Sequence, residues 1–296
     1  MHRIARLAAL ILLSTSLPVV CGSAAESPAP ARQPVWSVKG ATNTLYLLGS
    51  VHFLNASEKL PAAADQAYAD AEKVVMEIDL DDLSPIEMQQ TTLELGMLPE
   101  GDSLRVRIGA ETYAKVEARA RELGLEPAVL NRFRPWFAAL TLAQIQLIRM
   151  GLDPNSGVEQ RVAARAAIDH KPIEGLETLR EQLGMLAALP EKQQRQFLLY
   201  SVEDAEHAAD EIDALLAAWR RGDAAALAEV LMEGFEQYPD LYRPLTVERN
   251  SRWLPILEQL LEKKDDYLVV VGALHLVGDN SVIELLEKHG YAVTQH

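Results

Sequence analysis

Residues 268–277 read LVVVGALHLV, and residues 45–54 read LYLLGSVHFL. Each is a short, largely aliphatic run that leads into Gly, two further residues, His and two apolar residues. Such a run, closed by Gly, reads as a buried-type strand. In sheets with helical crossovers, ligands lie beyond the carboxyl ends of the strands. His52 and His275 are therefore expected at that rim. Gly49 and Gly272 are expected to turn the chain sharply and to allow close approach to a ligand. If the two strands are neighbours, the two histidines can face one another.

Outward from these runs the pattern alternates. Residues 35–39 and 44–48 read as strands, 60–71 as a helix and 73–80 (KVVMEIDL) as a strand. That strand, helix, strand order marks a sheet with helical crossovers. Residues 84–238 are mostly helical, with helices expected at 86–95, 110–123, 136–150, 157–168, 176–188, 191–217 and 224–237. Gly109, Gly124, Pro135, Gly151 and Pro190 punctuate them. Only residues 170–174 (HKPIE) interrupt, as a short strand. Residues 246–263 read as a helix, 266–271 as a strand, 281–289 as a helix and 291–295 as a last strand. The expected fold is α/β with an α+β-like segregation. A central mixed sheet is built from both chain ends, with flanking helices and a large helical insertion. A single domain is expected over residues 35–296, with a helical subdomain at about 84–240.

Composition narrows the function classes. The 296 residues are 49% hydrophobic and 24% charged, as in ordinary globular proteins. A formal net charge of −15 argues against nucleic-acid binding and against docking on anionic lipid. Arg3 and Arg6, an apolar core at residues 7–13 and small residues at 22–25 have a signal-peptide layout. The expectation is export to the periplasm, with cleavage after Ala24 or Ala25, then a flexible lead-in over residues 26–34. An uncleaved anchor is disfavoured because Ser14, Thr15, Ser16 and Pro18 break the apolar run. The single cysteine, Cys21, would be the lipidated residue of a lipoprotein, but Pro18-Val19-Val20 is a poor match for that signal. No other segment is long and apolar enough to cross a membrane, so the mature chain is expected to lack a transmembrane segment.

Two histidines at one rim suggest a divalent metal, since imidazole suits Zn, Mn, Co or Fe. A catalytic ion usually has a third protein ligand. Glu77 is the best candidate, because a carboxylate within VVMEIDL is costly to bury unless paired, metal-bound or protonated. It is read as a ligand or as the base that takes a proton from water; the bland alternative is a solvated edge position. Arg249 in LTVERNSRWL can hold a substrate carboxylate or stabilise an oxyanion; its bland alternative is a surface ion pair with Glu248.

These residues carry a resemblance. The chain resembles the TraB/GumN family of bacterial exported proteins. That family is related to the animal TIKI metal-dependent proteases, and more loosely to erythromycin esterases and ChaN-type haem-binding lipoproteins. The matching residues are Gly49-Ser50-Val51-His52, Glu77, Arg249 and Gly272-Ala273-Leu274-His275. Softer matches are Gly157-Val158-Glu159, Gly175-Leu176-Glu177-Thr178 followed by Gln182, and the segment 278–293. The resemblance implies a divalent-metal hydrolase, peptidase-like in kind, with His52, His275 and Glu77 as metal ligands. Mn, Co or Zn would be the ion, and a peptide or small molecule the substrate. Glu77, Arg249 and Glu159 would be the catalytic residues. Glu159 also reads as a first-turn helix acid, and Glu177 and Gln182 as helix-capping and packing residues.

The same residues fit two other readings. A haem- or metal-binding protein without turnover would use the same histidines without needing Glu77 and Arg249. A non-catalytic scaffold would bind no metal. The sequence Gly101-Asp102-Ser103-Leu104 spells an esterase nucleophile block, but it sits among helices, so Ser103 reads as a turn residue. His207 among acidic residues reads as part of a solvated helix face.

Overall fold

The two Gly-x-x-His strands lie side by side. The computed structural model describes residues 32–79, 83–203, 208–233, 235 and 239–296. The expected signal segment with Cys21, most of the lead-in, and His207 lie outside them. The sheet contains β1 (Val35–Lys39), β2 (Thr44–Ser50), β3 (Lys73–Ile78), β4 (Ile173–Glu177), β5 (Tyr267–Gly272) and β6 (Val293–Gln295). Their order is β4-β3-β5-β2-β1-β6. The first four in that order are mutually parallel, and β1 is antiparallel to both β2 and β6. The sheet is therefore mixed and drawn from both chain ends, as expected for this α/β fold. The fully buried β5 is laid between β2 and β3, which explains its run of Val on both faces. The parallel strands end on one side, so the residues following them share one rim.

Helices cover the sheet because parallel strands need crossover connections. The helix Ala62–Asp70 joins β2 to β3, and a helical block joins β3 to β4 and β4 to β5. Two apolar clusters result. One joins the sheet to its covering helices through Leu47, Val270, Trp219 and Trp253. The other lies within the helical block around Leu104, Trp136 and Leu198. Leu274, next to His275, packs against both, so the second motif sits at the seam between them.

Several boundaries differ from the sequence reading. β4 runs on to Glu177, and the helix expected from 176 begins at Leu179, where Thr178 and Glu181 form a capping box. The reason is tertiary: Glu177 pairs with Ile78 of β3, which extends the strand. Of the helix expected over 191–217, the described residues form Glu191–Glu203 and Ala208–Arg220. The helix expected from 246 begins at Glu248, after a π-helical turn Arg243–Val247. The last strand starts at Val293. Gly49 does not turn the chain, since it lies within β2, and neither Gly49 nor Gly272 adopts positive φ. Ser103 caps the helix Leu104–Ile108, accepting from the Val106 amide, as its reading as a turn residue anticipates.

Candidate functional site

The carboxyl end of β3 carries Glu77, only 8% exposed. Its strand is interior, so the edge-position alternative falls. One oxygen, Oε1, accepts from the Gly272 amide at 2.7 Å. A Cβ on residue 272 would stand 3.3 Å from that oxygen, so glycine serves close approach here, not a turn. The other oxygen, Oε2, accepts from Arg249 Nη2 at 2.5 Å and Gln182 Nε2 at 3.0 Å.

Arg249 projects from the first turn of the helix Glu248–Leu261, directly after the π-helical turn, and is buried. It forks onto Glu177 at the end of β4, Nη2 to Oε1 at 2.6 Å and Nε to Oε2 at 3.2 Å. Its Nη1 lies 3.0 Å from His275 Nε2 and 3.3 Å from the Leu245 carbonyl oxygen. The guanidinium also stacks over Trp253 at 4.7 Å. Glu248 pairs with Arg243 instead, so the expected surface alternative for Arg249 is also set aside. Two carboxylates around one guanidinium form a buried network in which each charge has a partner.

His275 follows β5 and is 4% exposed. Its Nδ1 lies 2.6 Å from Asn250 Oδ1, and its ring tilts against Trp253 at 4.5 Å. Its Nε2 is 3.8 Å from Glu77 Oε1. A guanidinium has only donors, so Nε2 accepts from Arg249.

The first motif is built differently. The side chain of His52 is 50% exposed, and its Nδ1 lies 2.8 Å from Glu159 Oε1. Ser50 Oγ donates to that same oxygen. Glu159 Oε2 is buried without a hydrogen-bond partner among the described residues. The helix Val158–Asp169 can approach because residue 157 is glycine: a Cβ there would fall 2.1 Å from the His52 carbonyl oxygen. The Val158 amide donates to the Val51 carbonyl at 3.1 Å, and Trp219 Nε1 donates to the Gly49 carbonyl at 2.7 Å. Glu159 is thus a first-turn acid that also reaches into the site.

Charge states follow these surroundings. Burial pushes the Glu77 carboxyl up, but Arg249, His275, His52 and the Gly272 amide together bring it down to about 2. Burial, helped by the Arg249 charge and opposed by Glu77, brings His275 down to about 3, so it is neutral. The Glu159 charge outweighs desolvation at His52 and pushes it up to about 9. Glu159 is itself held below its ordinary range, because His52 and Ser50 overcome its burial.

Among the described residues, no group of three His, Cys, Asp or Glu side chains is gathered in a metal-holding arrangement. The donor chemistry nevertheless fits an ion in part. His275 offers a neutral Nε2 and Glu77 an anionic oxygen 3.8 Å away. His52 could add a second imidazole nitrogen only on losing the proton that Glu159 favours, because a charged imidazolium has no lone pair. Arg249 occupies the Nε2 lone pair, so ligation there requires its Nη1 to withdraw.

The structure therefore brings together Glu77, Arg249 and His275, and pairs His52 with Glu159. The sequence pattern marks Glu177 and Gln182 only as helix-capping and packing residues and gives Asn250 no role, yet all three bond directly to this network. A signal for Glu177 existed: Ile173-Glu174-Gly175-Leu176-Glu177 ends on a carboxylate, and the β3 run carries one a residue before its end.

A family profile, that of the TraB/PrgY/gumN family, matches residues 34–295. The chain belongs to the TraB/PrgY/gumN family. It is 26% identical over 243 residues to an uncharacterized protein, YbaP, of Escherichia coli (strain K12), covering 81% of this chain and 87% of that one. The same figures hold for the uncharacterized YbaP of Shigella flexneri. An uncharacterized protein of Treponema pallidum (strain Nichols) is 23% identical over 269 residues, covering 86% of this chain and 80% of that one. No solved structure gives a significant match. TraB/PrgY/gumN membership accounts for the span of the fold, from β1 to β6, and the named relatives carry no assigned reaction.

Proposed function

We propose that this TraB/PrgY/gumN protein is an exported, divalent-metal-dependent hydrolase, peptidase-like in its chemistry. The observation that carries the reading is the buried Glu77–Arg249–His275 constellation at the carboxyl ends of parallel strands. Buried charges and a forced-neutral imidazole are costly, and such perturbed groups gather where chemistry is done. His275 and His52 would hold the ion, with Glu77 as ligand or base. Mn, Co or Zn would supply Lewis acidity and acidify a water. Glu77, ionised at neutral pH, accepts a proton or donates electron density from Oε1. Arg249 is a fixed positive charge that faces negative charge developing on a substrate oxygen. His52 reaches solvent and would meet the substrate first. Glu159 keeps it oriented through Nδ1.

The test is the metal content of the mature protein, purified without chelator or histidine tag. About one equivalent of Mn, Co or Zn, lost in both His52→Ala and His275→Ala, is expected, followed by hydrolysis in a peptide screen that Glu77→Gln abolishes. No metal, and none taken up on addition, would end the hydrolase reading. Metal or haem uptake without turnover, insensitive to Arg249→Met, would assign binding alone.

A further inference from the structure

The geometry points to Asn250 as a positioning residue that holds His275 in the one neutral tautomer whose Nε2 lone pair faces Arg249, and that keeps holding it when Arg249 withdraws. Asn250 is fully buried, one residue beyond Arg249 on the helix Glu248–Leu261. Its Nδ2 donates to the Asn280 carbonyl oxygen at 2.8 Å. A carbonyl only accepts, so the amide nitrogen must face it, and Oδ1 must then face His275. That oxygen only accepts as well. At 2.6 Å the hydrogen between them therefore sits on His275 Nδ1. A neutral imidazole with hydrogen on Nδ1 has its lone pair on Nε2.

The Asn280 carbonyl is itself placed. Asn280 lies in the left-handed region at φ 58, shortly after Gly278 at φ 75, and its amide donates to Glu284 Oε2 at 2.7 Å. The loop that follows the second motif thus bends back onto the helix that carries Asn250. Trp253, against the ring face, limits rotation of the imidazole.

Arg249 also favours this tautomer, but it does so by donating to the lone pair itself. Anything that uses that lone pair must displace Arg249 Nη1. Asn250 acts from the opposite nitrogen and is untouched by the exchange. Groups that grip the far nitrogen of a ligating histidine fix its tautomer and aim. The amide does this without adding a charge, whereas the same place at His52 is taken by the carboxylate of Glu159.

The use of the lone pair rests on the hydrolase reading; the tautomer does not. The experiment is a long-range proton–nitrogen correlation on the metal-free, nitrogen-15-labelled full chain, with His275 assigned by its absence in His275→Gln. The wild type is expected to show a protonated Nδ1 and a bare Nε2. With Arg249→Met in the background, so that no donor holds Nε2, Asn250→Ala should mix the two tautomers, and Asn250→Asp, which restores an acceptor, should keep hydrogen on Nδ1. Zinc affinity should fall about 10- to 100-fold in Asn250→Ala and less in Asn250→Asp. A wild-type His275 with bare Nδ1 overturns the proposal, as does an Arg249→Met/Asn250→Ala spectrum that matches that of Arg249→Met alone. The wild-type spectrum decides the tautomer even where Asn250→Ala folds poorly, and an Asn250→Asp spectrum without hydrogen on Nδ1 also overturns it. If zinc binds nowhere yet the tautomer follows these variants, the hydrolase reading falls and the positioning role stands.

Discussion

The two Gly-x-x-His segments are alike in sequence and opposite in environment. His52 is half exposed and shares a hydrogen with a carboxylate. His275 is buried, held by an amide on one nitrogen and a guanidinium on the other. The first histidine is pushed up to about 9 and the second down to about 3. Repetition of a motif therefore does not imply repetition of a role. The neighbours brought in from other elements set the proton on each ring, and they differ because Glu159 opens one helix while Asn250 lies in the first turn of another.

The sharpest test of this contrast is Arg249→Met. It leaves Glu77 and Glu177 buried without their shared cation, and removal of one partner from a buried ionic network costs about 3–5 kcal/mol. Urea unfolding should show that loss; a change below 1 kcal/mol would mean the network around the second motif is solvated. Next comes His275→Ala, which leaves a cavity and an unpaired Asn250 oxygen, with an expected loss of about 2–4 kcal/mol. His52→Ala removes a half-exposed ring and should cost less than about 1 kcal/mol. Equal losses in the two alanine variants would break the comparison.

The same contrast predicts opposite pH limits. The folded His275 is depressed below its ordinary 6.5, so its contribution is full above that pH and lost as pH falls toward 3. Glu77 adds a further acid loss between 4.5 and about 2. His52 is raised, so its contribution is full below 6.5 and lost as pH rises through 9. Histidine NMR titration of the metal-free protein should find one ring with a midpoint near 9, which moves down in Glu159→Gln. His275 should stay unprotonated at pH 5.

Glycine substitutions separate contacts within the first motif. Gly157→Ala forces a methyl into the His52 carbonyl oxygen and should cost about 1–3 kcal/mol, as overpacking does. Gly49→Ala meets Ala273 at 3.4 Å, near ordinary contact, and should cost less. Thermal unfolding of the two variants ranks them, and the reverse order would contradict the close approach of the helix Val158–Asp169 to His52.

Much of the fold was legible because its strands are apolar runs with sharp ends. The runs at 44–48 and 266–271 read correctly as buried strands, although the first proved to take in Gly49 and Ser50 and the second Gly272. Glu77 stood out as a lone carboxylate among Val, Met and Ile. Arg249 and His275 were legible as residue types, and their partnership was not. Glu177 was misread because a helix begins two residues later, and only pairing with β3 keeps it in a strand. Gln182 and Asn250 carried no local signal: Gln182 meets Glu77 across 105 residues of chain, and Asn250 meets His275 across 25.

The sequence by itself determined which segments become buried strands and which chemical groups stand at their ends, because strand burial and helix punctuation are written in local residue patterns. Only the tertiary structure decided which His is neutral, which carboxylate is paired and which amide grips a ring. Proton positions and ion pairs depend on distances between elements far apart in the chain, and the order β4-β3-β5-β2 is what places Glu177, Glu77, His275 and His52 along one rim.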